Sequence, residues 1–372
     1  LAPRLITGQF EPTTDRAVWP STGNYCRGGA YVSALLGCQS IAILPAEMSK
    51  ERFDWLANVA GEVIATPGCE SNVKEIFDKC WELRKTRTKI SIFNQFEEFG
   101  NVLWHYEVTG SSMEEIFKKE AKEGQNLAGV VLTSGSSGTM GSAYRMKELH
   151  PKARAAVGEA LQCPTLLNNG FGGHRIEGIG DKHVPWIHDL KNTDTVIAVD
   201  DERNMRLLRL FNEPVGREVL VNNGAPKEIV DQFDLLGISG VGNLIAAIKF
   251  AKYYELDEND IVFTVFTDSM ELYSSRMKEM TEQYGEYTRY DAERDLQRLM
   301  DITTDNMADL TYYERKRIHN LKYFTWIEQQ ARELDELNHQ WFKHDEYWGQ
   351  IPTYTDQIDK LIEEFNDRVG LL

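Results

Sequence analysis

The chain has 372 residues, of which 42% are apolar and 10% aromatic, and its formal net charge is −17. A chain of this size and composition can bury a full core, and its acidic balance argues against a nucleic-acid partner, which requires basic side chains to displace counterions. No run of about 18 apolar residues is present, so the sequence predicts no membrane partner and favours a small-molecule substrate.

Between about residues 22 and 266, short β-branched runs alternate with helical patterns, as in an α/β protein with largely parallel strands. We predict strands over residues 40–44, 62–66, 128–133, 195–199 and 261–266. Helices are predicted to begin near Arg27, Ser49, Asn72, Ser112, Gly138, Glu202 and Gly240. After Tyr273 the strand signals vanish, and the acidic, aromatic-rich sequence predicts a helical extension that packs on the main body or on a second subunit.

Two joints between a strand and a helix offer groups that bind anions. Residues 128–141, AGVVLTSGSSGTMG, place glycines and hydroxyls where backbone N–H groups and a helix N-terminus can hold a phosphate. Residues 21–25, STGNY, offer hydroxyls and free amides to an anion such as a substrate carboxylate. Taken alone, each joint is also compatible with an ordinary structural turn or helix cap.

The cysteines and histidines do not predict a metal site or a disulfide framework. The five cysteines are widely spaced and form no C-x-x-C pair, which fits a reducing, cytoplasmic location. His174, His183 and His188 lack the companion ligands of a familiar metal site, so core or capping roles are favoured. Residue 1 is a leucine and no signal-peptide pattern follows it, so we expect the natural N-terminus to lie upstream.

Collinear motifs resemble those of the cysteine synthase and cystathionine β-synthase family. Residues 21–52, STGNYCRGGAYVSALLGCQSIAILPAEMSKER, are similar to the family pattern T-S-G-N-T, a helix, a strand and M-P-E-x-M-S-x-E-R. Further motifs follow in the family's order at residues 94–96, 109–110, 135–139, 174–180, 237–240 and 267–269, leading to Tyr273. Agreement over some 250 residues is stronger than any single motif.

The resemblance implies a two-lobed, fold-type II pyridoxal-phosphate enzyme, similar to the tryptophan synthase β subunit, with largely parallel sheets. It also divides the chain into a smaller α/β lobe over residues 1–105 that is truncated at its N-terminus, a larger cofactor-binding lobe over 106–275, and the helical extension over 276–372. The implied cofactor is pyridoxal 5′-phosphate, and relatives of this kind are commonly homodimers.

The resemblance also implies roles for individual residues. Asn24 would bind the phenolic oxygen of the cofactor, and Ser269, with Asp268 as the alternative, would meet its pyridine nitrogen. A neutral hydroxyl there would favour β-elimination over transamination. The phosphate would be held by Gly135, Ser136, Ser137, Gly138 and Thr139. The amino-acid substrate would be bound by Ser21, Thr22, Tyr25 and Gln95.

Three departures from the family pattern bear on these roles. The Schiff-base lysine of the family falls upstream of Leu1, so no catalytic residue is assigned here, and Lys50, in the M-S-x-E-R helix, does not take the role. Tyr25 and Cys26 replace a threonine and a glycine, which should tighten the mouth of the pocket. The loop serines at 136 and 137 replace a threonine and a glycine.

The implied activity is β-replacement or β-elimination on a small amino acid, such as cysteine, serine or O-activated serine, through an aminoacrylate intermediate. This is the chemistry of a cysteine synthase or a cysteine desulfhydrase, and the sequence does not separate synthase from lyase. Two alternatives remain open: an ammonia-lyase or dehydratase acting on serine, threonine or diaminopropionate, and a homologue that binds the cofactor without turnover.

Overall fold

The computed structural model describes residues 1–370. Four parallel strands form the first sheet: β1 (Arg16–Pro20), β2 (Gln39–Pro45), β3 (Glu62–Thr66) and β4 (Ile90–Ile92). Their spatial order is β3-β2-β1-β4. The helices around this sheet are α1 (Ala2–Ile6), α2 (Asn24–Leu35), α3 (Lys50–Val59), α4 (Val73–Thr86) and α5 (Phe99–Trp104).

The second sheet contains β5 (Asn126–Thr133), β6 (Arg154–Ala160), β7 (Thr195–Val199), β8 (Asp260–Phe263) and β9 (Met307–Asp309). The order is β8-β5-β6-β7-β9, with β9 antiparallel to β7 and the other neighbours parallel. Between β4 and β8 lie a π-helical segment (His105–Thr109), α6 (Gly110–Glu120), α7 (Met140–Leu149), α8 (Thr165–Asn168), α9 (Asp201–Asn212), α10 (Pro214–Asn222), α11 (Lys227–Val230), a 3₁₀ turn (Phe233–Leu235) and α12 (Ile238–Tyr253).

The remaining elements are mainly helical. They are a 3₁₀ turn (Met270–Leu272), α13 (Ser274–Tyr284), α14 (Arg289–Met300), α15 (Tyr312–Lys322), a π-helical segment (Tyr323–Ile327), α16 (Leu334–Phe342), α17 (His344–Gly349) and α18 (Tyr354–Arg368).

Both sheets are covered by helices, which explains why their strands are nearly continuous in apolar residues. Val18 and Ile41 are fully buried in the first sheet, as are Val131 and Ile197 in the second. Burial of each such side chain contributes about 1.5–3 kcal/mol. Close packing also requires glycine at position 29, where a Cβ atom would lie 2.1 Å from the Trp19 ring.

The α/β class and the largely parallel sheets are confirmed. The observed strands β3 and β7 have the predicted bounds, and β2, β5 and β8 overlap the predictions. The expectation of no strand after Tyr273 is wrong, because β9 pairs with β7 through residues 307–309. A segment this short gains its strand conformation from the neighbouring edge rather than from its own pattern.

The helical extension packs on the main body, as predicted. The fully buried Nζ of Lys322 donates to the backbone oxygens of Trp186 (2.9 Å) and His188 (2.8 Å) and to Oε1 of Gln340 (2.8 Å). Trp326 is also fully buried, and its ring lies 6.0 Å from that of Trp186. These contacts bind the extension to the loop that follows the 174–180 motif.

Candidate active site

The loop after β5 has the geometry of an anion site. It leads into α7, whose first N–H groups donate to backbone oxygens of the loop, as Met140 does to Ser137 at 3.2 Å, so an anion would be favoured by the loop groups and the positive end of the helix dipole. Ser137 adopts a left-handed conformation with φ +66°, and its hydroxyl lies 3.0 Å from that of Ser134. A non-glycine residue in this region is strained, and such strain is concentrated at functional sites.

Asn101, which the sequence analysis missed, supports this loop. Its Nδ2 donates to Oγ of Ser136 and to the backbone oxygen of Gln95, both at 3.0 Å. A Cβ atom at position 138 would lie 2.1 Å from Asn101 Oδ1, so the close approach requires Gly138. The amide therefore joins the loop to the Asn94-Gln95-Phe96 motif. No local pattern marks Asn101, which is separated from Ser136 by 35 positions.

The joint between β1 and α2 brings together two residues predicted to bind the substrate. The Gln95 side chain and the Gly23 backbone N–H both donate to Oγ of Ser21, at 3.2 Å and 2.9 Å. Because this oxygen accepts two hydrogen bonds, its own proton is free to be donated to an anion. Thr22 is buried beside the Glu70 carboxyl.

Tyr25, also predicted to contact substrate, lies in a different environment. Its ring packs edge-on against Trp19 at 5.5 Å, and burial raises the pKa of its hydroxyl. The side chain thus contributes to the apolar core that contains Trp19.

Asn24 belongs to a buried polar network centred on Arg52. Asn24 accepts from Arg52 Nη1 (2.7 Å) and donates to Oδ2 of Asp268 (2.8 Å). Arg52 also pairs with Glu177 (2.8 Å) and Asp268 (3.2 Å), and Nη2 donates to the Tyr273 hydroxyl (2.5 Å). Burial disfavours the charge of Arg52, but these neighbours outweigh it and raise its pKa. Arg52 is the last residue of the M-S-x-E-R motif, and the sequence predicts no role for it.

Ser269 directly precedes the 3₁₀ turn at Met270–Leu272 and is partly exposed. Its neighbour Asp268 is more deeply placed: Oδ2 is shared by the Arg52 network, whereas Oδ1 is buried and has no hydrogen-bond partner within residues 1–370. An unpaired buried carboxylate oxygen is available to a ring nitrogen, so the geometry keeps both Asp268 and Ser269 as candidates for that role.

The loop is also bordered by buried titratable groups. A Cβ atom at Gly135 would lie 3.6 Å from Oδ2 of Asp181, and neither oxygen of Asp181 has a hydrogen-bond partner in the described chain. Burial raises the pKa of Asp181 to about 8 and lowers those of His183 and His188 to about 3. Asp181 is therefore neutral at pH 7 and does not repel an anion beside the loop, and the two histidines are neutral as well.

The described residues contain no group of three or more His, Cys, Asp or Glu side chains suited to a metal ion. The histidines of the 174–188 segment have other contacts. His174 Nε2 donates to the Gly180 backbone oxygen at 2.7 Å, and His188 Nε2 lies 3.0 Å from the Thr193 hydroxyl.

A sequence profile of the family described as "Pyridoxal-phosphate dependent enzyme" matches residues 7–268. The chain belongs to this family. Pyridoxal phosphate is therefore the cofactor of this enzyme, as the motifs predicted. The residues present fit it: the 135–139 loop carries three hydroxyl side chains that would donate to the phosphate, and Asp268 Oδ1 is buried without a hydrogen-bond partner in the described chain. The Asn24 amide would bind the cofactor by exchanging one of its present partners.

Two curated relatives of the pyridoxal-phosphate enzyme are similar to it in sequence. Cystathionine beta-synthase of Saccharomyces cerevisiae is 26% identical over 279 residues, which cover 73% of this chain and 52% of the relative. Cysteine synthase of Staphylococcus aureus is 28% identical over 269 residues, covering 72% of this chain and 78% of the relative. The match thus spans about half the length of the yeast protein.

Solved structures agree on the fold of the pyridoxal-phosphate enzyme. An O-acetylserine dependent cystathionine beta-synthase from Helicobacter pylori superposes with a TM-score of 0.59 and 26% identity, over 73% of this chain and 80% of that one. A hydrogen sulfide-producing enzyme from Fusobacterium nucleatum gives a TM-score of 0.61 and 23% identity, over 73% and 83%. No helix within residues 1–370 is long and apolar enough to cross a membrane.

Proposed function

We propose that this enzyme catalyses β-replacement or β-elimination on a small amino acid such as cysteine, serine or O-activated serine. One observation carries the proposal: Asn101 joins the loop suited to a phosphate to the motif that supports Ser21. Substrate carboxylate and cofactor phosphate would thus be held by one connected set of hydrogen bonds. The similarity to a cysteine synthase and a cystathionine beta-synthase supports this class of reaction.

Some residues of the chain would bind the substrate carboxylate, and others would orient the cofactor. Ser21, Thr22 and Gln95 hold the substrate carboxylate, with the free proton of the Ser21 hydroxyl directed to it. The cofactor, when bound, supplies the electron sink that makes the α-proton acidic and the β-substituent a leaving group. The 135–139 loop fixes the phosphate end.

The opposite end of the cofactor would be fixed by the Arg52 network. Asn24 and either Ser269 or Asp268 contact the ring, while Arg52 holds Asn24 and Asp268 in place through two buried contacts. Orientation of this kind lowers the barrier because the reacting bond is aligned before reaction.

Further parts of the proposal concern the whole protein. We propose lobes over residues 1–105 and 106–275 with an extension over 276–372, assembly into a homodimer, and a cytoplasmic location. The acidic composition and the five free cysteines support the location.

Substrate screening tests the function. The protein, purified from expression of its complete gene and saturated with pyridoxal phosphate, should show a visible absorption band that shifts on addition of cysteine or serine, and should release sulfide from cysteine or form cysteine from O-acetylserine and sulfide. Ammonia and a 2-oxo acid from serine, without sulfide chemistry, would instead indicate a dehydratase. An absent band would contradict both.

A variant tests the carboxylate site. Gln95→Glu places a like charge beside the substrate carboxylate and should raise KM at least tenfold while the affinity for pyridoxal phosphate stays within twofold. Gln350→Glu, an exposed position, is the matched control. An unchanged KM in Gln95→Glu would remove Gln95 from the site.

A further inference from the structure

A cavity of about 320 Å³ lies between the two lobes and is separate from the 135–139 loop. The charged residues that line it are Glu47, Glu70, Arg175, Glu177, Arg276 and Glu279. Its volume is in the range of small-molecule sites, and four carboxylates face two guanidinium groups.

Both guanidinium groups are already engaged. Arg276 pairs with Glu177 and Glu279, each at 2.8 Å. Arg175 pairs with two acidic residues of α9, Asp201 and Glu202. The guanidinium groups of the lining therefore pair with carboxylates other than Glu70.

Glu70 is the buried carboxyl of this lining that has no cation paired with it in the described chain. Its side chain is only 2% exposed, and neither carboxylate oxygen has a hydrogen-bond donor among residues 1–370. Burial raises the pKa of Glu70 well above its usual value, and the nearby Asp181 and Glu177 add to the effect, although the Thr22 hydroxyl and Arg52 oppose it. A buried carboxyl without a donor costs free energy that a cationic ligand would recover.

His174, which lines the same cavity, offers a second unused acceptor. Its Nε2 lies 2.7 Å from the Gly180 carbonyl oxygen, which can only accept, so Nε2 carries the proton. Nδ1 is consequently an acceptor, and it is buried without a partner within the described residues. Burial lowers the pKa of His174, which keeps the ring neutral.

We propose that this cavity binds a small molecule through a primary ammonium group, with Glu70 as its ion-pair partner and His174 Nδ1 as a further acceptor. An ammonium group has three donors, which matches two carboxylate oxygens and one ring nitrogen. The role of this ligand rests on the proposed function, because the ligand would be the amine-bearing second substrate of a β-replacement. Binding itself does not depend on turnover.

Calorimetry on the cofactor-saturated protein tests the site, with 2-aminoethanol as the probe at constant ionic strength and ethylene glycol as the neutral analogue. We expect saturable binding of 2-aminoethanol to the wild-type protein. Glu70→Gln should bind it at least tenfold more weakly. Glu47→Gln, which removes an equal charge at an exposed position, should change the affinity less than twofold. Affinity should rise with pH, because Glu70 must ionise to form the pair.

Equal binding by wild type and Glu70→Gln, or equal binding of the neutral analogue, overturns the inference. The cofactor absorption band, measured in the same samples, separates this failure from failure of the proposed function. If the band is present and 2-aminoethanol does not bind, only the ammonium site is refuted. Thermal unfolding of Glu70→Gln should show an intact fold, because glutamine has the shape of the protonated acid.

Discussion

Asp181 is a buried acid whose protonation should control both stability and cofactor affinity. Its side chain is 5% exposed, its two oxygens lack partners in the described chain, and burial raises its pKa from the usual 3.8 to about 8. Because its pKa is raised in the folded state, Asp181 keeps its proton to a higher pH there than in the unfolded state. Folding stability is therefore complete below the unfolded pKa and falls as pH rises toward 8.

The size of the effect on the free energy of unfolding follows from the pKa shift of Asp181. One pKa unit corresponds to about 1.36 kcal/mol, and pH 7 lies about three units above the unfolded pKa, so ionisation linkage costs about 4 kcal/mol at most. Asp181→Asn keeps a neutral polar side chain of the same shape and removes this cost. We expect the variant to gain about 2–4 kcal/mol in free energy of unfolding at pH 7, and little at pH 4.

Urea unfolding of the cofactor-free protein at several pH values between 5 and 8 measures the effect. Wild type should lose stability across this range more steeply than Asp181→Asn, whereas Asp234→Asn, at an exposed position, should follow wild type. Affinity for pyridoxal phosphate should also fall above about pH 8 in wild type and not in Asp181→Asn, because a charged Asp181 would face the phosphate. Parallel stability curves for wild type and Asp181→Asn would refute the reasoning.

Three other substitutions test the packing around the site. Asn101→Ala should weaken pyridoxal phosphate binding about five- to tenfold in a fluorescence titration, since the loss of one hydrogen bond to Ser136 costs about 1 kcal/mol; unchanged affinity would exclude a supporting role. Arg52→Met should destabilise the protein by about 3–5 kcal/mol in urea, because Asp268 would lose its buried counterion. Lys322→Met should leave the backbone oxygen of His188 and Oε1 of Gln340 unpaired and increase hydrogen exchange across residues 311–370, and unchanged exchange would contradict this docking role.

The sequence was sufficient for those strands whose pattern is local and continuous. Residues 62–66 and 195–199 are apolar, β-branched runs covered by helices, and their bounds were predicted as observed. The strand at Arg154–Ala160 was missed because alanine and glycine carry little strand preference, and it forms because β5 and β7 pair with it on both sides.

The sequence by itself determined the family and the cofactor, and it predicts two joints as anion sites, because glycine- and hydroxyl-rich turns after buried strands depend on neighbouring residues in the chain. Only the tertiary structure decided which side chains from distant parts of the chain meet. The Arg52 network, the support by Asn101 and the unpaired carboxyls of Glu70 and Asp181 join residues far apart in sequence. Pairing and burial of such groups depend on how the two sheets pack, which no local pattern encodes.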